Sequence, residues 1–115
     1  MLDVSTEAFE ELVTAALDSL PEELGRVFNN VVVLVEDEKP GEPGLLGLYE
    51  GVPLTERGTW YSGVLPDRVT IYRLPILRRS VTYSQVVEEV RVTVIHELAH
   101  HMGIDDDRLD ELGWA

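Results

Sequence analysis

A chain of 115 residues is long enough for one hydrophobic core and too short for two, so a single domain spanning residues 1–115 is expected. A hydrophobic fraction of 44%, with two Trp, four Tyr and two Phe, suffices to close that core and excludes a disordered chain. Twenty-two Asp and Glu against nine Lys and Arg leave a net charge of -13, a field that repels phosphates and anionic lipid, so neither nucleic acid nor a membrane is an expected partner.

No stretch reaches the roughly 18 apolar residues of a spanning helix, and Met1 to Glu7 has neither the basic start nor the apolar run of a secretion signal. A cytoplasmic protein is the expectation. The absence of cysteine rules out disulfides, thiolate metal sites and a cysteine nucleophile, so any metal must sit on histidines and carboxylates.

Along the chain, Ala8, Phe9, Leu12, Val13, Ala16, Leu17 and Leu20 recur at steps of three and four, with Ser5 placed as an N-cap and Pro21 as a stop, which predicts an amphipathic helix. Val31 to Val35 is short and β-branched and runs into the polar turn Glu36 to Gly44, which predicts a buried strand; Leu45 to Tyr49 follows as a second strand. Glu50 to Arg68 carries Gly51, Pro53, Gly58, Gly63 and Pro66 and reads as a long irregular stretch pinned by Trp60 and Tyr61 or covering a site. Val69 to Leu74 is the third strand, and the prolines on either side of it, Pro66 and Pro75, predict an edge position.

The segment Tyr83 to Met102 is rich in Val, Thr and Ile, which favours a strand on residue preference alone. Its periodicity decides for a helix: Val86, Val87, Val90, Val94, Ile95, Leu98 and Met102 fall within about half a turn of the wheel, Thr82 with Gln85 makes a capping box, and Gly103 supplies the terminating residue.

All three histidines lie in the string His96-Glu97-Leu98-Ala99-His100-His101-Met102-Gly103-Ile104-Asp105-Asp106, which contains an H-E-x-x-H motif. Shuffling this composition yields that motif about once in 160 chains. Positions i and i+4 of a helix lie about 40° apart in angle and about 6 Å apart in rise, so His96 and His100 can converge on one ion, while Glu97 reaches the attacking water rather than the metal. Both histidines fall just outside the apolar arc. His101 falls inside it, between Val90 and Val94, and reads as a buried histidine with its hydrogen bonds satisfied rather than as a ligand. A catalytic zinc needs a third protein ligand and an open position; Gly103 turns the chain back, and Asp106 is the candidate, with Asp105 and Asp107 as rivals that could instead cap a short final helix carrying Leu109 and Leu112. Mn, Fe or Ni would also accept two imidazoles and a carboxylate.

At His96, Glu97, His100, Gly103 and Asp106 the chain resembles the zincin superfamily of zinc metallopeptidases, with its pattern H-E-x-x-H-x-x-G-x-x-[H/D]. The strings Leu46-Gly47-Leu48-Tyr49-Glu50-Gly51 and Pro66-Asp67-Arg68-Val69-Thr70-Ile71-Tyr72-Arg73 resemble more closely the minimal-zincin family of bacterial zinc peptidases. The resemblance implies an α+β fold, a minimal zincin-like arrangement with a small β-sheet packed against the motif helix and an N-terminal helix.

Three functions compete. The leading one is hydrolysis of a peptide or protein substrate, with one zinc per chain on His96, His100 and Asp106, a metal-activated water and Glu97 as general base. The strand Val69 to Leu74 would bind substrate by strand addition, and Tyr49 and Tyr72 are the positional candidates for an oxyanion donor. The second is a metal-dependent endoribonuclease, since His96, His100, Gly103 and Asp105 also answer part of an H-x-x-x-H-x-x-G-x-D-H pattern, from which Asp106 departs; only Arg73, Arg78 and Arg79 form a basic cluster to support it. The third is a non-catalytic metal-binding or partner-binding module, against which an intact Glu97 argues.

Overall fold

The computed structural model describes residues 1–20, 31–51, 66–104, 107, 108 and 111. Helix α1 spans Thr6–Asp18 and starts where Ser5 can cap it: the Ser5 hydroxyl accepts a hydrogen bond from the Ala8 amide at 3.1 Å. The helix buries Phe9, Val13 and Ala16, spaced four and three apart, and stops at Ser19, whose hydroxyl donates to the Ala16 carbonyl at 2.8 Å.

Strands β1 (Val31–Glu36), β2 (Gly47–Glu50) and β3 (Asp67–Tyr72) form a mixed sheet in the order β1-β3-β2, with β1 parallel and β2 antiparallel to β3. Val33 stands opposite Val69, and Leu48 opposite Thr70. The third strand is therefore central, and the edge position expected from its prolines is wrong. Pro66 precedes the first paired residue, and Pro75 lies past the last, so neither removes a ladder donor. The strand also ends earlier than expected, because the chain turns at once into helix α2 (Arg73–Arg78). Pro75 lies in the first turn of that helix, where its missing N–H has no intrahelical acceptor to lose.

β1 departs from the fully buried strand its composition predicts. Burial alternates along it: Val31, Val33 and Val35 turn towards the core, while Val32 and Leu34 keep 40% and 37% of their surface. Among the described residues it is an edge strand, covered on one face, whose outward positions are apolar as well.

Helix α3, Tyr83–His101, carries both halves of the expected capping box: the Thr82 hydroxyl accepts from the Gln85 amide at 3.2 Å and the Gln85 side chain accepts from the Thr82 amide at 3.2 Å. Its valines and threonines adopt a helix because tertiary burial outweighs their preference for strand. Val86, Val90, Thr93, Val94, Glu97, Leu98, Ala99 and His101 are buried against α1, α2, β2 and β3. Val87, expected on the buried arc, is exposed, which narrows that arc. At the C-terminus Gly103 has φ 76°, its amide donates to the His100 carbonyl at 3.0 Å, and the Ile104 amide donates to the Ala99 carbonyl at 2.9 Å. These two bonds make a Schellman motif, which sets the direction in which the chain leaves the helix. A small sheet packed with α1 and the motif helix is the expected α+β arrangement. No described helix is long and apolar enough to cross a membrane.

Phe9 is completely buried beside Val13, Val86, Val90 and Leu98 in the shared core, so Phe9→Ala should cost about 3–5 kcal/mol in urea unfolding, against about 1 kcal/mol for loss of the cap in Ser5→Ala. Equal losses for the two would contradict this distribution of stability.

Candidate active site

His96 and His100 stand one turn apart on α3, both partly exposed, with ring centroids 5.8 Å apart and planes at 87°. Between them Glu97 is nearly buried, and its Oε1 lies 3.2 Å from Nδ1 of His100.

His96 and Glu97 open onto a groove of about 500 Å³ lined on the α3 side by Glu89, Val92 and Thr93 as well, and across from them by the segment leading into β2, Gly44 to Gly47, with Arg79 also in its lining. The walls approach most closely at Gly47. A Cβ built there would sit 2.9 Å from Glu97 Cγ, 2.9 Å from Thr93 Cγ2 and 3.3 Å from the Thr70 carbonyl, so only glycine lets β2 lie this near α3.

The turn that precedes this wall is clamped by α2. Arg73 donates to Asp37 at 3.1 Å and to the Val4 carbonyl at 2.8 Å, Arg78 donates to Glu38 at 2.5 Å and to the Pro43 carbonyl at 3.2 Å, and the Leu74 amide donates to the Asp37 carbonyl. Arg79 lies 3.6 Å from Glu89. The three arginines that form the chain's basic cluster are therefore each engaged by a carboxylate.

At the far end of α3, His101 is fully buried, and its Nδ1 donates to Asp67 Oδ2 at 2.6 Å. The same oxygen accepts the Tyr49 hydroxyl at 2.6 Å. Asp67, the first residue of the central strand, is itself buried at 2% exposure.

Comparison with known proteins bears on this geometry. The family model described as zincin-like metallopeptidase matches residues 28–114, which takes in all three strands and the whole of α3. The chain belongs to the zincin-like metallopeptidases. Among solved structures it is similar to a conserved hypothetical protein from Thermo thermophilus, at 29% identity and a TM-score of 0.58, covering 95% of this chain and 97% of that one. No curated protein matches.

Zincins hold zinc, and the donor chemistry of this zincin-like chain fits that ion in part: two imidazoles one helical turn apart, with a carboxylate beside one of them. Among the described residues no group of three His, Asp or Glu is placed to hold a metal, and Asp106, the expected third ligand, lies outside the described residues together with its rival Asp105. Asp107, the other rival, is exposed. Leu109, Leu112, Trp60 and Tyr61 also lie outside the described residues.

Neither positional candidate for an oxyanion donor stands up. Tyr72 is buried at 3% exposure, and burial, reinforced by Glu36, Glu50 and Glu42, pushes its phenol above the usual range; the Tyr49 hydroxyl is committed to Asp67. Sequence reading passed over Gly47 and Asp67. A lone glycine inside a strand is itself a sign of close backbone approach, and a histidine expected to be buried needs a polar partner in the core, for which a carboxylate such as Asp67 is one candidate.

Because Gly47 abuts Glu97, Gly47→Ala should push β2 off α3, lowering Tm by several degrees and moving the Glu97 and Thr93 side-chain resonances in a two-dimensional NMR spectrum. Gly44→Ala, where an added Cβ meets nothing within 4 Å, should leave both unchanged. An effect of Gly44→Ala as large as that of Gly47→Ala would contradict the close approach.

Proposed function

We propose that this zincin-like protein hydrolyses peptide bonds, with His96, His100 and Asp106 holding one zinc per chain and Glu97 acting as general base. The observation that carries the reading is the placement of His96 and Glu97 on the groove, with His100 one turn on beside the Glu97 carboxylate. When bound, zinc supplies Lewis-acid polarisation of the scissile carbonyl and acidifies its attacking water towards a pKa of ~7.

The remaining work belongs to the chain. Glu97, held nearly out of solvent between Gly47 and His100, accepts the water's proton on a carboxylate oxygen and delivers it to the leaving amine. β2, which among the described residues is paired only with β3, offers on its other edge backbone groups against which a peptide can lie as an added strand. β3, the strand expected from the sequence to take that part, cannot do so because both its edges are paired. Leu45, Leu46 and Val92 supply apolar wall for a substrate side chain.

The ribonuclease alternative loses the support of the basic cluster, because Arg73, Arg78 and Arg79 already face Asp37, Glu38 and Glu89. A peptide or protein substrate is the partner this reading names, with no nucleic acid and no membrane, and the bacterial cytoplasm is the compartment it assumes.

The purified protein should bind about one zinc, and His96→Ala or His100→Ala should abolish that binding with little unfolding, because neither histidine belongs to the buried core. Stoichiometric zinc in the double histidine variant would sink the assignment. In chelator titration Asp106→Ala should weaken zinc more than Asp105→Ala or Asp107→Ala.

Glu97→Gln separates enzyme from binding module. Zinc affinity should stay within about tenfold while cleavage of a peptide library falls roughly 100-fold, and a structured RNA offered in parallel should stay intact. Cleavage by Glu97→Gln at the wild-type rate would overturn the mechanism, and loss of zinc in that variant would make Glu97 a ligand.

A further inference from the structure

We propose that Asp67, His101 and Tyr49 are positioning residues for the metal centre: their shared hydrogen-bonded network fixes the rotation of the last turn of α3, and thereby the His100 imidazole and the exit of the chain at Gly103. The inference rests on the metal-site reading above. None of the three residues is a ligand in it.

Three elements meet at one atom. Asp67 Oδ2, on the first residue of β3, receives the Tyr49 hydroxyl from β2 and the His101 ring from α3, each at 2.6 Å. The backbone is shaped around this carboxylate: Gly51 has φ 153°, and a Cβ there would fall 2.5 Å from both Asp67 Cγ and Oδ1. A buried carboxylate and imidazole are a poor way to gain stability, since apolar residues of similar volume hold a core at least as well. Their distinctive contribution is geometric, because hydrogen bonds of fixed length and direction define one orientation where apolar contacts tolerate several.

That orientation is set where the site needs it. His101 follows His100 directly, so pinning its ring inward, with no solvent exposure, turns the neighbouring ring about 100° around the helix axis towards the outer side. One residue further the Schellman motif begins, with the Gly103 amide on the His100 carbonyl and the Ile104 amide on the Ala99 carbonyl. A roll of this turn would move the His100 ring and the chain beyond Gly103 together.

The test measures zinc affinity by chelator competition, and the visible spectrum of the Co(II)-loaded protein, in wild type, Asp67→Asn, His101→Leu, His101→Asn and the core control Val86→Ala. Asp67→Asn and His101→Leu should weaken zinc by about tenfold or more and alter the Co(II) spectrum. His101→Asn, whose amide N–H can stand where Nδ1–H stood, should recover part of the loss. Val86→Ala, at the other end of α3, should lower Tm while leaving affinity and spectrum unchanged. Should Asp67→Asn fail to fold, Tyr49→Phe removes one donor at nearly constant volume and should weaken zinc by a smaller factor with the same spectral change.

Unaltered zinc affinity and Co(II) spectrum in the network variants, or an equal loss in Val86→Ala, would overturn the proposal while leaving the metal site standing. A wild-type protein that takes up no zinc would overturn both.

Discussion

One helical period has to serve two purposes in α3. Val86, Val90, Val94 and Leu98 recur at steps of four and are almost completely buried, and that stripe fixes the rotational phase of the whole helix against the sheet and α1. The same step of four spaces His96 and His100, so the phase that buries the valines also decides which way the imidazoles face. The site is consequently borrowed from the packing of the core. Each deletion of a buried branched side chain would cost a few kcal/mol of fold, whereas His96 and His100 stand at partly exposed positions where stability is little concerned.

Where helix and sheet approach, the spacing is governed by what is missing. Gly47 lets the backbone of β2 come up against Glu97 and Thr93, and Gly51 leaves space for the Asp67 carboxylate. The turn between β1 and β2 is held from outside by Arg73 and Arg78. Exposed ion pairs of this kind contribute little stability each, about 0–1 kcal/mol. Their consequence is electrostatic. Among the described residues Arg68, Arg73, Arg78, Arg79, Arg91 and Arg108 each lie within an ion-pair distance of a Glu or Asp, so these arginines present little uncompensated positive charge to an anionic polymer on a chain of net charge -13.

Both long helices were legible in the sequence because their signals are local: Ser5, the Thr82 and Gln85 box and Gly103 sit within four residues of the groups they satisfy. The inward turn of His101 was legible too, since helical phase alone places it among Val90, Val94 and Leu98. Its partner was not, because Asp67 lies 34 residues earlier in the sequence and only the fold brings the two together. The position of β3 was misread for a related reason. Prolines at both flanks argue for an edge only if they fall within the ladder, and strand limits of two residues either way decide that. In β1, apolar residues on both faces hid an alternation that accessibility reveals.

The proposed site holds one zinc on the outer side of α3, with Glu97 beside the ion and not bound to it. Anomalous diffraction at the zinc absorption edge from crystals grown with zinc tests this most directly. A single peak is expected about 2.0–2.1 Å from one nitrogen each of His96 and His100 and a similar distance from an Asp106 oxygen, with both Glu97 oxygens beyond ligand distance. A peak coordinated by Glu97, or one remote from His96 and His100, would contradict it.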